Sequence, residues 1–145
     1  MSVQITIDRD ISEFLVSIQS DLNLAIEDAL DQSAAAILHR LQVTYLAEQD
    51  PYGVAWVPSK AAIKRRSKNG TGTLFDTGTL YRSIQLLDED TPGVRVISTD
   101  VSYGKYHQWG EGDMHREFLS LTPEHEEIAY SIFENALNDL MKEVS

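Results

Sequence analysis

Four side chains of the types that hold metal ions fall close together: His107, Glu111, Asp113 and His115. Imidazole nitrogens and carboxylate oxygens would suit zinc or a related cation. Established zinc motifs, however, place their ligands at fixed spacing on a rigid element, as in H-E-x-x-H on a helix, and that spacing is missing here. His107 reads instead as a hydrogen-bonded histidine near Trp109, and Glu111 and Asp113 as loop carboxylates. Serine and threonine are plentiful, yet there is neither a G-x-S-x-G elbow to expose a nucleophile nor a G-x-x-x-x-G-K-[ST] loop to cradle phosphate. Neither catalysis nor a metal nor another cofactor is expected.

The remaining chemistry is electrostatic. Lys60, Lys64, Arg65, Arg66 and Lys68 are five of the twelve basic residues. Such a run could meet DNA phosphate without reading sequence, pair with acidic helix faces of a neighbouring copy, or simply be solvated. Net charge is −11, unevenly spread: residues 1–50 carry −7, residues 51–110 carry +3, and residues 111–145 carry −7. Both ends are acidic and the middle is basic. One surface can therefore repel nucleic acid while another accepts acidic partners, including a second copy of the chain, although charged helix faces are also ordinary solvated surface.

The elements that must carry these groups follow from periodicity. With 145 residues and 42% hydrophobic composition, a single domain with a core is expected. Cysteine is absent, which excludes disulfides and thiolate metal sites. The longest stretch free of Asp, Glu, Lys and Arg runs from Pro51 to Ser59, far short of the ~20 residues a membrane helix needs. Met1 to Ile5 shows no basic or apolar signal-peptide region, so synthesis in the cytoplasm and no membrane contact are expected.

Val3-Gln4-Ile5-Thr6-Ile7 alternates like a short edge strand. From Ile11 through Leu15, Ile18, Leu22, Ile26, Leu30, Ile37 and Leu41 to Tyr45, apolar residues recur near a 3.6 period, predicting a long amphipathic helix with a break near Ser20-Asp21. Its stripe serves the core or a subunit contact, and Asp50-Pro51 ends it. Ser59 can cap one or two turns of helix, after which Gly, Thr and Asn predict a mobile basic loop. Thr122 as cap, Pro123 in the first turn and Ile128, Ile132, Phe133, Ala136, Leu137, Leu140 and Met141 on one face predict a C-terminal helix lying across the sheet.

Between these lies the stretch Phe75 to Leu121. Asp76 or Thr77 can cap a short helix, Gly78 permits a tight turn, and Leu80 and Ile84 anchor the helix at its apolar spacing. A hairpin follows, Ile84 to Asp88 paired with Val94 to Thr99, and implies a sheet of three or four antiparallel strands. Tyr103, Tyr106, Trp109 and Phe118 then gather around Gly104, Gly110 and Gly112. Together with Trp56, the rings of Tyr106, Trp109 and Phe118 are expected to fix the fold.

The ordered set of motifs resembles a known family. Asp50-Pro51-Tyr52-Gly53 with Trp56 and Pro58, then Asp76, Gly78, Leu80, Ser83 and Ile84, then Tyr103, Tyr106, His107, Gln108, Trp109 and Gly110, then Arg116-Glu117-Phe118-Leu119 and a C-terminal helix, look like the phage virion morphogenesis (tail completion) family of the Mu and P2 type. The broader neck-protein group of HK97-like and lambda-like phages is similar. The matching segments cover roughly residues 40 to 140. The resemblance implies a structural virion protein of a tailed phage or prophage, found in the neck or tail and acting without turnover. It implies a ring of six copies, with the tail tube or terminator and the head connector as partners and a possible contact with DNA in the neck channel. The expected fold is α+β in one domain: strand and long helix over 1–49, basic loop over 50–74, turn, hairpin and aromatic segment over 75–121, and terminal helix over 122–145.

Overall fold

The recurring apolar positions form one uninterrupted helix, α1 (Arg9–Leu46), in the computed structural model, which describes residues 9–87, 91–110 and 115–144. The strand expected at Val3 to Ile7 lies outside the described residues. No break occurs at Ser20-Asp21. Both residues sit on the exposed side of the helix, where a polar side chain is solvated and has no reason to divert the backbone. At 38 residues the helix is ~57 Å long.

It ends at Leu46, five positions before Pro51, and the chain turns away through a left-handed residue. Glu48 has φ +57°, and the N–H groups of Glu48 and Gln49 donate back to the carbonyls of Tyr45 and Thr44 at 3.0 Å each. That position usually belongs to glycine, which meets no Cβ penalty there. Here the Glu48 carboxylate is occupied instead: it accepts from the Thr73 N–H at 2.5 Å and pairs with Arg66.

Four further helices and one ladder complete the described chain. They are α2 (Lys60–Arg66), α3 (Thr79–Ser83), β1 (Gln85–Leu86), β2 (Ile97–Ser98), α4 (Gly104–Gln108) and α5 (Pro123–Val144). The expected caps form at α2 and α5, where the Ser59 hydroxyl accepts from the Ala62 N–H at 3.0 Å and the Thr122 hydroxyl accepts from the His125 N–H at 3.4 Å. At α3 the cap position is Gly78 itself, with φ +79°; Asp76 takes no part, while the Thr77 hydroxyl, one residue earlier, accepts from the Thr79 N–H at 3.4 Å.

The sheet is smaller than three or four strands: among the described residues it is one antiparallel pair, Gln85 opposite Ser98 and Leu86 opposite Ile97. Two causes are visible. Arg95 lies beyond the ladder with its side chain on α1, where it meets Glu27 at 2.7 Å and Asp31 at 2.6 Å, and its partner by register, Asp88, lies outside the described residues. The extended run Arg116 to Leu119, a natural third strand, is held mainly by side chains rather than by a backbone ladder. With so small a sheet, α5 does not lie across it. Its apolar face runs antiparallel along α1, so that Arg40 reaches Glu124 at 2.8 Å while Asp21 and Glu143 line one groove.

The core sits at one end of this helix pair. Tyr45, Trp56, Leu80, Ile84 and Phe118 are buried together, with Leu38, Phe75, Tyr81 and Ile97 against them. The Tyr45 ring is edge-on to Trp56 at 5.2 Å and to Phe118 at 5.9 Å, arrangements that favour aromatic quadrupoles. Tyr106 and Trp109 do not join them. They are 61% and 77% exposed, so the expectation that they fix the fold is corrected. Short α4 turns them outward because its Gly104 faces in, where a Cβ would come within 3.0 Å of Leu80 and 3.3 Å of Phe118.

Candidate interaction surface

The five basic residues divide into two sets. Arg65 Nη2 donates to the Gly72 carbonyl at 2.6 Å and its Nη1 lies 3.9 Å from Asp76, while Arg66 pairs with Glu48. These two guanidiniums fold the segment after α2 back onto the end of α1. Lys60, Lys64 and Lys68 are exposed and form no salt bridge with any described residue. Ala62 is fully buried and seats α2, so Lys60, Lys64 and Ser67, on the opposite face at helical spacing, point away from the body.

The family-type residues of the central stretch are structural neighbours. Leu80 and Ile84 are core, and the Ser83 hydroxyl donates to the Leu80 carbonyl at 2.7 Å and meets the Thr99 hydroxyl at 2.5 Å. Gln108 acts as a clamp: its Oε1 accepts from the N–H groups of Phe118 and Leu119 at 3.1 and 3.0 Å, and its Nε2 donates to the Leu119 carbonyl at 2.7 Å. The Trp56 indole N–H donates to the Glu117 carbonyl at 2.9 Å. Arg116 is buried; its Nε donates to the Val57 carbonyl at 2.8 Å and its backbone N–H to that of His107 at 2.7 Å. His107 is partly buried beside the exposed Trp109, and Gly110 follows at the end of α4. Glu111 and Asp113 lie outside the described residues. Among those described, no group of three or more His, Cys, Asp or Glu side chains is arranged to hold a metal ion.

Outside the core, large apolar side chains remain exposed. Tyr103, Tyr106 and Trp109 project from α4, and none of the described apolar side chains of α5 is fully buried, with Tyr130, Leu137 and Met141 open to solvent. Two grooves flank the helix pair. The first, about 610 Å³, is walled by Ala34, Ile37 and Leu41 of α1, by Val94 to Ile97, and by Ala129 and Phe133 of α5. The second, about 390 Å³, opens on the other side of α5 and carries four carboxylates, Asp21, Asp28, Asp139 and Glu143.

Two arrangements escaped sequence reasoning. The Arg95 link to Glu27 and Asp31 was signalled only by two acids four apart on α1, a common pattern. That arginine and the Gly93 N–H hold the Glu27 carboxyl below its usual range. The second is His125, whose Nδ1 accepts from the Thr122 N–H at 3.1 Å, closing a reciprocal cap in which histidine stands where glutamate or glutamine is usual. Burial is the main cause that lowers its pKa from 6.5.

No helix among the described residues is long and apolar enough to cross a membrane. No curated protein and no solved structure matches the chain significantly. The model of the phage virion morphogenesis family matches residues 8–138, a span that takes in the long helix, the basic helix, the aromatic segment and most of α5. By that match over nearly its whole length, the chain belongs to the phage virion morphogenesis family.

Proposed function

We propose that this protein is a neck component of a tailed phage or prophage, completing the tail end or joining tail to head, and that it acts by oligomeric assembly without chemical turnover. The family match carries this reading. The open apolar faces of α4 and α5 support it, because a chain with its core at one end leaves surface for other subunits to cover. In this reading the protein lies in the virion as a ring of six that fits a sixfold tail tube, with the tube or its terminator on one side and the head connector on the other.

Of the basic run, Lys60, Lys64 and Lys68 are the cations available to a partner or to DNA in the channel, since Arg65 and Arg66 are engaged within the chain. A net charge of −11 counts against a free-standing DNA-binding module. Extract complementation tests the assignment. Particles lacking the protein should show tails of normal length that do not join heads, and adding purified protein should restore joining. Over-long tails would replace this reading with that of a terminator that stops tube growth.

A further inference from the structure

Two well-separated surfaces of the molecule are complementary in charge, and neither finds the other within the chain. One is α2, where Ile63 stands 59% exposed beside the outward-pointing Lys60 and Lys64. It is an apolar knob with a cationic rim. The other is the groove between α1 and α5, with Leu24, Ala136 and Leu140 in its lining. Leu24 is 67% exposed, and the four carboxylates that share the lining make no salt bridge with any described residue. It is a groove in which apolar side chains and carboxylates share the lining.

Distance forbids an internal match. Arg66 ties α2 to Glu48, just past the C-terminal end of α1, whereas the groove involves α1 from Asp21 to Gln32. Along the helix, Leu24 lies roughly 30 Å from that end. The two surfaces can meet only between copies, and because they differ, the contact is heterologous and repeats from one copy to the next.

We propose that α2 of one copy docks in the acidic α1–α5 groove of a second copy, placing Ile63 against the apolar lining and Lys60 and Lys64 against the carboxylates. The inference rests on the assembly reading above and adds to it the two faces that meet. DNA is the weaker occupant for α2: a duplex would accept the lysines but leave Ile63 and the groove uncovered.

Sedimentation velocity over a concentration series tests it on the full chain. Wild-type protein should self-associate, more weakly as salt rises. K60E/K64E and D21K/D139K should each weaken association on the order of tenfold or more. An equimolar mixture of the two double variants, and the quadruple variant alone, should regain it, because opposite charges face each other again. A wild type that stays monomeric at every concentration overturns the proposal. So do double variants of undiminished mass, or a mixture of the two that fails to associate. Loss of DNA retention by K60E/K64E with unchanged self-association would assign α2 to DNA instead. Complementation separates this proposal from the functional one: undiminished association in the variants, with joining still dependent on the protein, removes the interface alone, whereas normal joining without the protein removes the neck assignment.

Discussion

Gln108 is bonded through both ends of its side-chain amide to one residue, Leu119: Nε2 donates to the Leu119 carbonyl at 2.7 Å while Oε1 accepts from its N–H at 3.0 Å. A side chain thereby supplies hydrogen bonds of the kind a neighbouring strand would, and the run from Arg116 to Leu119 belongs to no helix or sheet. Gln108→Ala removes three hydrogen bonds, including one to Phe118 N–H, and leaves backbone groups unpaired in a partly buried site. A loss of about 2–3 kcal/mol is expected in denaturant unfolding. Gln108→Glu keeps the acceptor but sets a carboxylate against the Leu119 carbonyl, and should also be destabilising.

The division of the basic residues predicts opposite results from two charge reversals. K60E/K64E changes only exposed lysines that form no salt bridge with a described residue, so its stability should stay within ~0.5 kcal/mol of wild type. R65E/R66E should melt lower, because it sets a carboxylate beside Glu48, frees the Gly72 carbonyl and removes the Asp76 contact. Equal melts for the two variants would show that the arginine contacts contribute nothing to stability.

His125 gives the fold a dependence on acid. Its folded pKa is depressed, chiefly by burial, so the unfolded chain takes up the proton more readily. The contribution is whole above the unfolded value of about 6.5 and declines as pH falls through the lower folded value. Protonation also turns Nδ1 into a donor, which the Thr122 N–H cannot use. His125→Gln retains an acceptor at the same capping position and does not titrate. Its stability at pH 7 should lie within ~1 kcal/mol of wild type, with a flatter decline from pH 6.5 to 5. An unchanged acid slope would exclude His125 as its source.

The two tryptophans should separate in fluorescence. Trp56 is buried and bonded to the Glu117 carbonyl, whereas Trp109 is 77% exposed. Acrylamide should quench one component strongly and the other weakly, and Trp109→Phe should remove the strongly quenched one. If the quenchable component survives that substitution, the outward orientation of Trp109 is wrong.

Much of this molecule was legible from residue spacing. The period of α1, the Ser59 and Thr122 caps and the apolar face of α5 depend on neighbours within one or two turns, and local sequence encodes them directly. The sheet was overestimated because alternation at Val94 to Ile97 is also what results when Arg95 is pulled toward two acids more than sixty residues away. Aromatic content misled for a related reason. Trp56 and Trp109 are both Trp in aromatic, glycine-containing surroundings, and only the inward-facing Gly104 decides that one ring is core and the other surface. The basic run showed its charge but not its division, since what binds Arg65 and Arg66 is set by where the chain turns back.

The core contacts also impose an order on folding. Tyr45 meets Phe118 edge-on and Trp56 bonds to Glu117, so the residues that close the core are joined across more than sixty positions of chain. Loop closure over such spans must precede any reward from packing, which slows folding relative to a helical bundle of local contacts. A ribosome that has not yet released the segment from Arg116 onward holds a chain with its aromatic cluster still open. The aromatic cluster around Tyr45 therefore closes only after the segment that carries Glu117 and Phe118 has been made.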